Sequence, residues 1–327
     1  MIMEKASSIS VVMCTFNGEK YLQEQVESIL RQTRMPSEII VSDDGSSDGT
    51  VPLVRGLLKG RSDIRVVITT RKAPLGPAAN FSSALTLATS QLIALADQDD
   101  VWHPTKLETL ASVLEHDATV LLAHSDAALV DEAGRRAGSL SHALAMTRPE
   151  RRALASGAAL TALLRRNLVT GATSMIRSDL LKVALPIPEG WVHDEWLALV
   201  AALHHGVAFV DEELIDYRQH GANHIGASRL SAAEAGSRLR ESRTAFFARK
   251  ALRNTALSDL VACEPSWFGP ETRDAVVSKL EHDEWRSGLP QKYLRRILPV
   301  VRRWLSGHYS RYARGHLDVV RDLVLRD

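Results

Sequence analysis

The chain has 327 residues, 45% of them hydrophobic and 24% charged, with a formal net charge of +1. That length suits either two domains or one α/β domain with a C-terminal extension, and so balanced a charge offers nucleic acid no basic surface to bind. Cys14 and Cys263 are the two cysteines, far apart and in no metal-type spacing, so no disulfide framework or zinc site is expected and a reducing, cytoplasmic compartment fits.

The opening "MIMEKASSIS" lacks the apolar core of a signal peptide. The first strand is expected over Ile9 to Cys14 ("ISVVMC"), followed by "EKYLQEQVESILRQT", where Leu22, Val26, Ile29 and Leu30 form one helical stripe. Glu38 to Ser42 ("EIIVS") reads as the second strand, with a helix in "DGTVPLVRGLL" capped by Asp48. Ile64 to Thr69 is the third strand, "NFSSALTLAT" the third helix and Leu92 to Ala96 ("LIALA") the fourth strand. A helix in "PTKLETLASVLEH", with Pro104 at its first position, leads to a strand over Val120 to His124. Most of these strand runs are rich in Val, Ile and Leu on both faces, as strands covered by helices on each side must be. From Arg151 the pattern loosens to helix and loop, with a short strand in "VAFVD", and beyond Ala227 it reads as helices only. No run approaches the roughly 20 apolar residues that cross a bilayer.

Strands alternating with helices imply a mostly parallel, Rossmann-like sheet, whose ligands bind beyond the carboxyl ends of its strands. Those ends carry "CTFNGEKY", "SDDGSSDGT" and "ADQDDVW". Singly, each has an ordinary reading as a turn or cap. Together they bring many carboxylates to one crevice, which costs stability unless a cation neutralises them. Asp97 and Asp99, two residues apart, can lean toward one hard cation, and an oxygen-only set favours Mg²⁺ or Mn²⁺ while leaving positions for substrate phosphates. A calcium loop starting at Asp43 fails because Val54 stands where the twelfth-position glutamate belongs. No glycine-rich phosphate loop and no nucleophile elbow occurs. His204 and His205 lack the rest of a metal-ligand set, and Trp102 and Trp191 are open to either sugar stacking or plain packing. Arg71 and Lys72 could meet a phosphate or end a strand in solvent.

The blocks "ISVVMCTFNGEKYLQEQVESILRQT", "EIIVSDDGSSDGT", "PLGPAANFSSAL", "LIALADQDDVWHPTKL", "NLVTGATSMI", "HDEWLALVAA" and "YRQHGANHIGA", in order and spacing from Ser8 to Ala227, resemble the family 2 glycosyltransferases of GT-A fold. Within that family the closer resemblance is to bacterial polysaccharide enzymes often described as rhamnosyltransferases. The resemblance implies a catalytic domain over residues 1–226 and a helical region over 227–327. It implies that Thr15, Asn17 and Asp43 hold the base and ribose of a nucleotide-sugar, with Asp44 beside them. Asp97-Gln98-Asp99 matches the D-x-D motif, with Asp99 on the metal and Asp97 on ribose or metal, and His220 is placed to contact phosphate or metal. Asp194 in "HDEW" matches the general base. This chain has Glu195 where the subgroup commonly has an aromatic, so two acids follow His193, and on a helix only one of two adjacent residues faces the acceptor. The implied reaction is inverting, metal-dependent transfer of a sugar, rhamnose included, from a UDP- or dTDP-donor to a glycan or lipid-linked glycan acceptor.

Pro290 to His316 contains seven Lys or Arg and no acid. Leu294, Ile297, Leu298, Val301, Trp304 and Leu305 share one helical face and Lys292, Arg295, Arg296, Arg302 and Arg303 another. Such a helix suits an anionic membrane surface, on the inner face of the cytoplasmic membrane, or packs on the catalytic domain, and Pro299 would bend it either way. Two other functions stay in view. A sugar-1-phosphate nucleotidyltransferase would need a glycine-rich basic loop after the first strand, which "TFNGEKY" is not. A non-catalytic nucleotide-sugar sensor would not need Asp97, Asp99 and Asp194 together.

Overall fold

The computed structural model describes residues 6–220, 242–263 and 267–324. The expected boundary between 226 and 227, and the Gly221 to Ala227 part of the last sequence block, lie outside the described residues. Among the described residues, nine strands form one sheet: β1 (Ile9–Thr15), β2 (Glu38–Asp43), β3 (Arg65–Thr70), β4 (Leu92–Ala96), β5 (Val101–Trp102), β6 (Leu122–Val130), β7 (Arg136–Ser139), β8 (Ser174–Arg177) and β9 (Val207–Arg218). Their order is β3-β2-β1-β4-β8-β6-β9-β5, with β7 paired to β6. The pairs among β3, β2, β1 and β4 are parallel, as is β6 with β9, whereas β8 runs antiparallel between β4 and β6.

The crossovers are α1 (Glu19–Ile29), α2 (Thr50–Leu57), α3 (Pro77–Leu85) and α4 (Lys106–His116). Asp48 accepts from the Thr50 N–H at 3.0 Å and the Glu19 N–H at 3.2 Å, so one carboxylate serves the starts of both α1 and α2. Pro104 falls two residues ahead of its expected helix, and its carbonyl instead accepts from the Thr33 N–H. The continuous apolar runs are explained by burial on both faces. Val11 and Met13 of β1 join Leu22, Val26 and Leu110 on one side, while Val12 joins Ile40, Phe81 and Leu95 on the other. Each such fully buried aliphatic side chain contributes about 1.5–3 kcal/mol.

The segment from β6 onward adds the short helices α5 (Leu140–Ala143), α6 (Arg148–Ala155), α7 (Leu160–Arg165) and α8 (Leu181–Ala184), then α9 (His193–Leu203). α9 is apolar nearly all round, with residues 196–203 buried. Among the described residues that follow are helices α10 (Arg243–Cys263), α11 (Pro270–Ser287), α12 (Tyr293–Leu305), α13 (His308–Tyr312) and α14 (His316–Val324). Leu257, Phe268 and Val276 pack into the core of the sheet region. A smaller core of Leu289, Val300, Tyr309, Ala313 and Val319 ties the last helices together, beside a buried ion pair of Arg286 with Asp322 at 2.6 Å.

α12 matches neither expected form in full. Arg296, expected on the basic face, is buried and donates to the carbonyls of Pro290, Gln291 and Asp322. The apolar side is open instead, with Leu294 65% and Leu305 76% exposed, and Pro299 lies inside the helix. No helix among the described residues is long and apolar enough to cross a membrane.

Candidate functional site

A cleft of about 1260 Å³ opens at the carboxyl ends of β1 and β4 and extends to the C-terminal helices. Thr15, Asn17, Asp44, Asp97, Asp99, His193, Asp194, Glu195 and His220 all line it. The edges of parallel strands deliver the first five, as the sheet topology requires.

At the β1 end the backbone is tightly organised. Asn17 adopts a left-handed φ of 49°, and its Oδ1 accepts from the Ser47 N–H at 2.9 Å. Gln98 reaches across, accepting from the Phe16 N–H at 2.8 Å and donating to the Phe16 carbonyl at 3.1 Å. A Cβ on Gly18 would sit 2.2 Å from Gln98 Oε1, so a larger residue there would push the Gln98 amide off Phe16. Asp44 accepts from the N–H groups of Leu75 and Gly76, fixing the loop before α3.

The Asp97 to Asp100 turn concentrates charge. Asp97 has its pKa raised to about 7, first by burial and then by the carboxylates of Asp99 and Asp194. Asp100 is also raised, by burial and then by Asp99 and Asp97; it points inward and accepts from the Arg218 N–H at 3.0 Å, bracing β9. Beneath them Lys106 is fully buried, its Nζ on the Ala172 carbonyl and 3.5 Å from the centre of the Trp102 ring. His220 Nε2 lies 2.8 Å from Asp99 Oδ2, and its ring stacks on Tyr21 at 4.9 Å. Among the described residues no group of three His, Cys, Asp or Glu side chains is set to hold a metal. The carboxylates of Asp99 and Asp97 nevertheless supply two hard oxygen donors, with the borderline imidazole nitrogen of His220 beside them, and leave positions for phosphate oxygens and water, which fits Mn²⁺ or Mg²⁺.

Asp194 occupies the first turn of α9. It accepts from Gly171 N–H at 3.1 Å, Asn167 Nδ2 at 3.3 Å and its neighbour Glu195 N–H at 2.6 Å. Burial outweighs these bonds and lifts its pKa to about 7, with Glu195 adding to the rise. Glu195 instead takes the guanidinium of Arg253 from α10. His193 stacks on Phe81 at 3.9 Å, and burial holds it neutral with a pKa lowered to about 3. A Cβ on Gly171 would come within 2.6 Å of His193 Nε2, so glycine lets this loop close on Asp194.

Residues 10–180 match the protein family described as glycosyl transferase family 2, more than half of the chain. The chain belongs to that family. It is 29% identical over 239 residues to an uncharacterized glycosyltransferase of Nostoc sp., covering 70% of this chain and 69% of that one. It is 34% identical over 106 residues to the UDP-Glc:alpha-D-GlcNAc-diphosphoundecaprenol beta-1,3-glucosyltransferase WfgD of Escherichia coli, covering 32% of this chain and 40% of that protein. For relatives from Haemophilus influenzae and Bacillus subtilis the matched segment likewise spans only 34% and 48% of their length. Among solved structures, TarS 1-349 of S. aureus in complex with UDP-GlcNAc aligns with a TM-score of 0.53 at 16% identity, over 97% of this chain and 89% of that one. The mannosyltransferase PcManGT of Pyrobaculum calidifontis, in complex with GDP-Man and Mn²⁺, aligns at 0.50 and 17%, over 84% and 80%. These likenesses establish the GT-A fold.

For this family 2 glycosyltransferase the structure corrects several expectations. Trp102 is not a wall of the cleft: it is 2% exposed, packed in the core under Lys106. Asp43 does not line the cleft either. Its carboxylate is occupied by the hydroxyls of Thr15 and Ser46 and the N–H groups of Gly45 and Ser46. Trp191 packs on Trp196 and carries the Arg253 guanidinium 3.9 Å from its ring centre, and Arg71 bonds Ser83; neither lines the cleft, nor does Lys72. His204, half-buried at the end of α9, lies against Trp267 and Phe268. Missed altogether were Asn167, Gly171, Tyr21 and Lys106. "NLVTG" and "PTKL" lie in the recognised blocks, but spacing alone could not aim them.

Proposed function

We propose that this glycosyltransferase moves a sugar from a UDP- or dTDP-linked donor, rhamnose among the candidate sugars, to a hydroxyl of a bacterial surface glycan by a single inverting displacement. The observation that carries the reading is that Asp97, the Asp99 and His220 pair, and Asp194 face one cleft. Thr15, Asn17 and Asp44 would bound the nucleotide end, with Asp43 accepting from the Thr15 hydroxyl. Asp99 and His220, with Asp97 on metal or ribose, would hold Mg²⁺ or Mn²⁺. When bound, that cation supplies Lewis-acid stabilisation of the leaving diphosphate.

Asp194 is the general base. Its carboxylate accepts the proton of the acceptor hydroxyl as that oxygen attacks the anomeric carbon, and a pKa of about 7 suits a base near neutral pH. Glu195, neutralised by Arg253, orients the first turn of α9 and holds α10 against it. A single base on the face of the sugar opposite the leaving group gives in-line displacement with inversion, unlike the nucleophile and acid pair of retaining glycosidases. Residues 1–226 form the catalytic unit in this reading, and 227–327 a helical region that meets an anionic membrane surface. The open apolar side of α12, flanked by exposed Lys292, Arg295 and Arg302, supports that placement, as does the lipid-linked acceptor in the name of the E. coli relative.

The test is a panel of UDP- and dTDP-sugars with Mn²⁺, scored by nucleoside diphosphate release. Release from at least one donor that needs both metal and Asp194 is expected. Pyrophosphate release from a nucleoside triphosphate and a sugar-1-phosphate, with no activity on the donor panel, would instead make the chain a nucleotidyltransferase.

A further inference from the structure

Where the C-terminal helices meet the cleft, on the side of Glu195, the wall is cationic in a way that donor chemistry does not explain. Arg165 of α7, Lys250 and Arg253 of α10, Arg314, and Arg321 of α14 line it, against two carboxylates, Glu195 and Asp318. The contacts give their order. Glu195, next to the base, holds Arg253; Lys250 lies one turn back along α10, and Phe246 one turn further. Phe246 carries the Arg321 guanidinium 4.5 Å from its ring centre. Arg165 Nε donates to the Ala313 carbonyl at 3.1 Å, beside Arg314. Chain segments some 150 residues apart are thus folded together around one side of the cleft.

The local carboxylates are shared rather than surplus. Glu195 is committed to Arg253, and Asp318 pairs with Arg321 at 3.2 Å and with Arg286 at 3.3 Å. Lys250 pairs with Asp283 at 2.6 Å, but the same carboxylate also binds Lys279. Burial, and after it the nearby Lys279, lowers the Lys250 pKa to about 7, and an anion bound beside it would favour the charged form again. Cations focused in a cleft with apolar walls raise the local concentration of anions. Arginine forks match the oxygens of a phosphoryl group two at a time.

We propose that this side of the cleft is an acceptor subsite for a phosphoryl group, held by Arg165, Lys250 and Arg321, with the acceptor's hydroxyl directed back toward Asp194. The inference rests on Asp194 being the base, because that is what makes this the acceptor side. The phosphoryl group can belong to a lipid-linked diphosphate or to a soluble phosphorylated sugar.

The experiment titrates inorganic pyrophosphate into the full-length protein in EDTA, which disables the metal-dependent donor end, and compares wild type with Lys250→Gln, Arg321→Gln and the double variant. Mn²⁺-dependent nucleotide binding, measured in parallel, checks that each variant is folded. The wild type should bind pyrophosphate, each single variant about tenfold more weakly and the double variant weaker still, with nucleotide binding unchanged. Equal binding by all four proteins, or none by the wild type, overturns the subsite. Pyrophosphate binding that behaves as expected while no nucleotide binds supports the subsite as an anion site and counts against the donor reading. Farnesyl diphosphate in phosphatidylcholine vesicles and glucose-1-phosphate then compete with pyrophosphate. Stronger competition by the first identifies a lipid-linked source, and stronger competition by the second a soluble one.

Discussion

Replacing Asp194 with Asn removes the base while keeping its shape. The amide retains an oxygen for the Glu195 N–H and Asn167 Nδ2, but its nitrogen then faces the Gly171 N–H that Oδ2 now accepts at 3.1 Å. That lost bond costs about 1 kcal/mol. Against it stands the ionisation of a carboxylate whose pKa is raised to about 7 in the folded chain from the ordinary 3.8. A carboxylate with a raised folded pKa keeps its proton in the native state and loses it in the unfolded state. Stability therefore falls as pH rises from about 4 to about 7, at ~1.4 kcal/mol per unit and so by at most about 4 kcal/mol. Asp194→Asn should accordingly lie within about 1 kcal/mol of wild type or below it at pH 4 and be the more stable protein at pH 8. Its turnover should fall by about 10²- to 10⁴-fold, the usual contribution of a general base, or ~3–5 kcal/mol in barrier. Wild-type kcat/KM should rise with pH through about 7, and the variant's residual activity should lack that limb. Stopped-time assays of nucleoside diphosphate release and thermal melts at pH 4 and 8 read both effects. Turnover within tenfold of wild type, or a variant less stable at pH 8 than at pH 4 relative to wild type, would refute the assignment.

Glu195→Gln keeps the hydrogen bond to Arg253 and loses the ion pair, so kcat should drop less than tenfold; a loss matching that of Asp194→Asn in kcat measurements would exchange the roles of the two acids. Trp102→Ala should destabilise the protein by about 3–5 kcal/mol in a denaturant melt, since it empties core space, yet leave nucleotide Kd within about twofold under conditions where the protein stays folded. Leu294→Glu with Leu298→Glu, both at exposed positions, should abolish flotation with anionic liposomes without lowering Tm; flotation equal to wild type would remove α12 as the contact.

The sheet's central strands were readable because β1, β2 and β4 are apolar on both faces, and only burial between two helical layers tolerates that. β8 was not, because four residues, "SMIR", carry too little pattern to separate a strand from a loop. β9 was read as stopping at Asp211, where Asp211, Glu212 and Glu213 break the apolar run, although its pairing with β6 carries on to Arg218. Within the site, the positions of Asp97, Asp99, Asp194 and His220 followed from ordered motifs, and the structure brings them to one cleft. The direction of a side chain did not follow: Trp102, beside the acidic turn in sequence, turns into the core, and the carboxylate of Asp43 turns into its own loop. Long-range partners were invisible for the same reason. Nothing near Glu195 announces Arg253, 58 residues later, and nothing in the basic C-terminal helix announces that Arg296 is buried.

The central claim is that a nucleotide-sugar and a divalent cation share the cleft through Asp99. Thermal melts of the wild type and Asp99→Ala with UDP, dTDP and GDP, each with and without Mn²⁺, test it most directly, because a ligand bound only to the folded state raises stability by about 2.7 kcal/mol at a hundredfold excess over Kd. At least one nucleoside diphosphate should raise the wild-type Tm in Mn²⁺ and not in EDTA, and Asp99→Ala should lose that rise. No metal-dependent rise with any nucleotide, or a rise that survives Asp99→Ala, would contradict it.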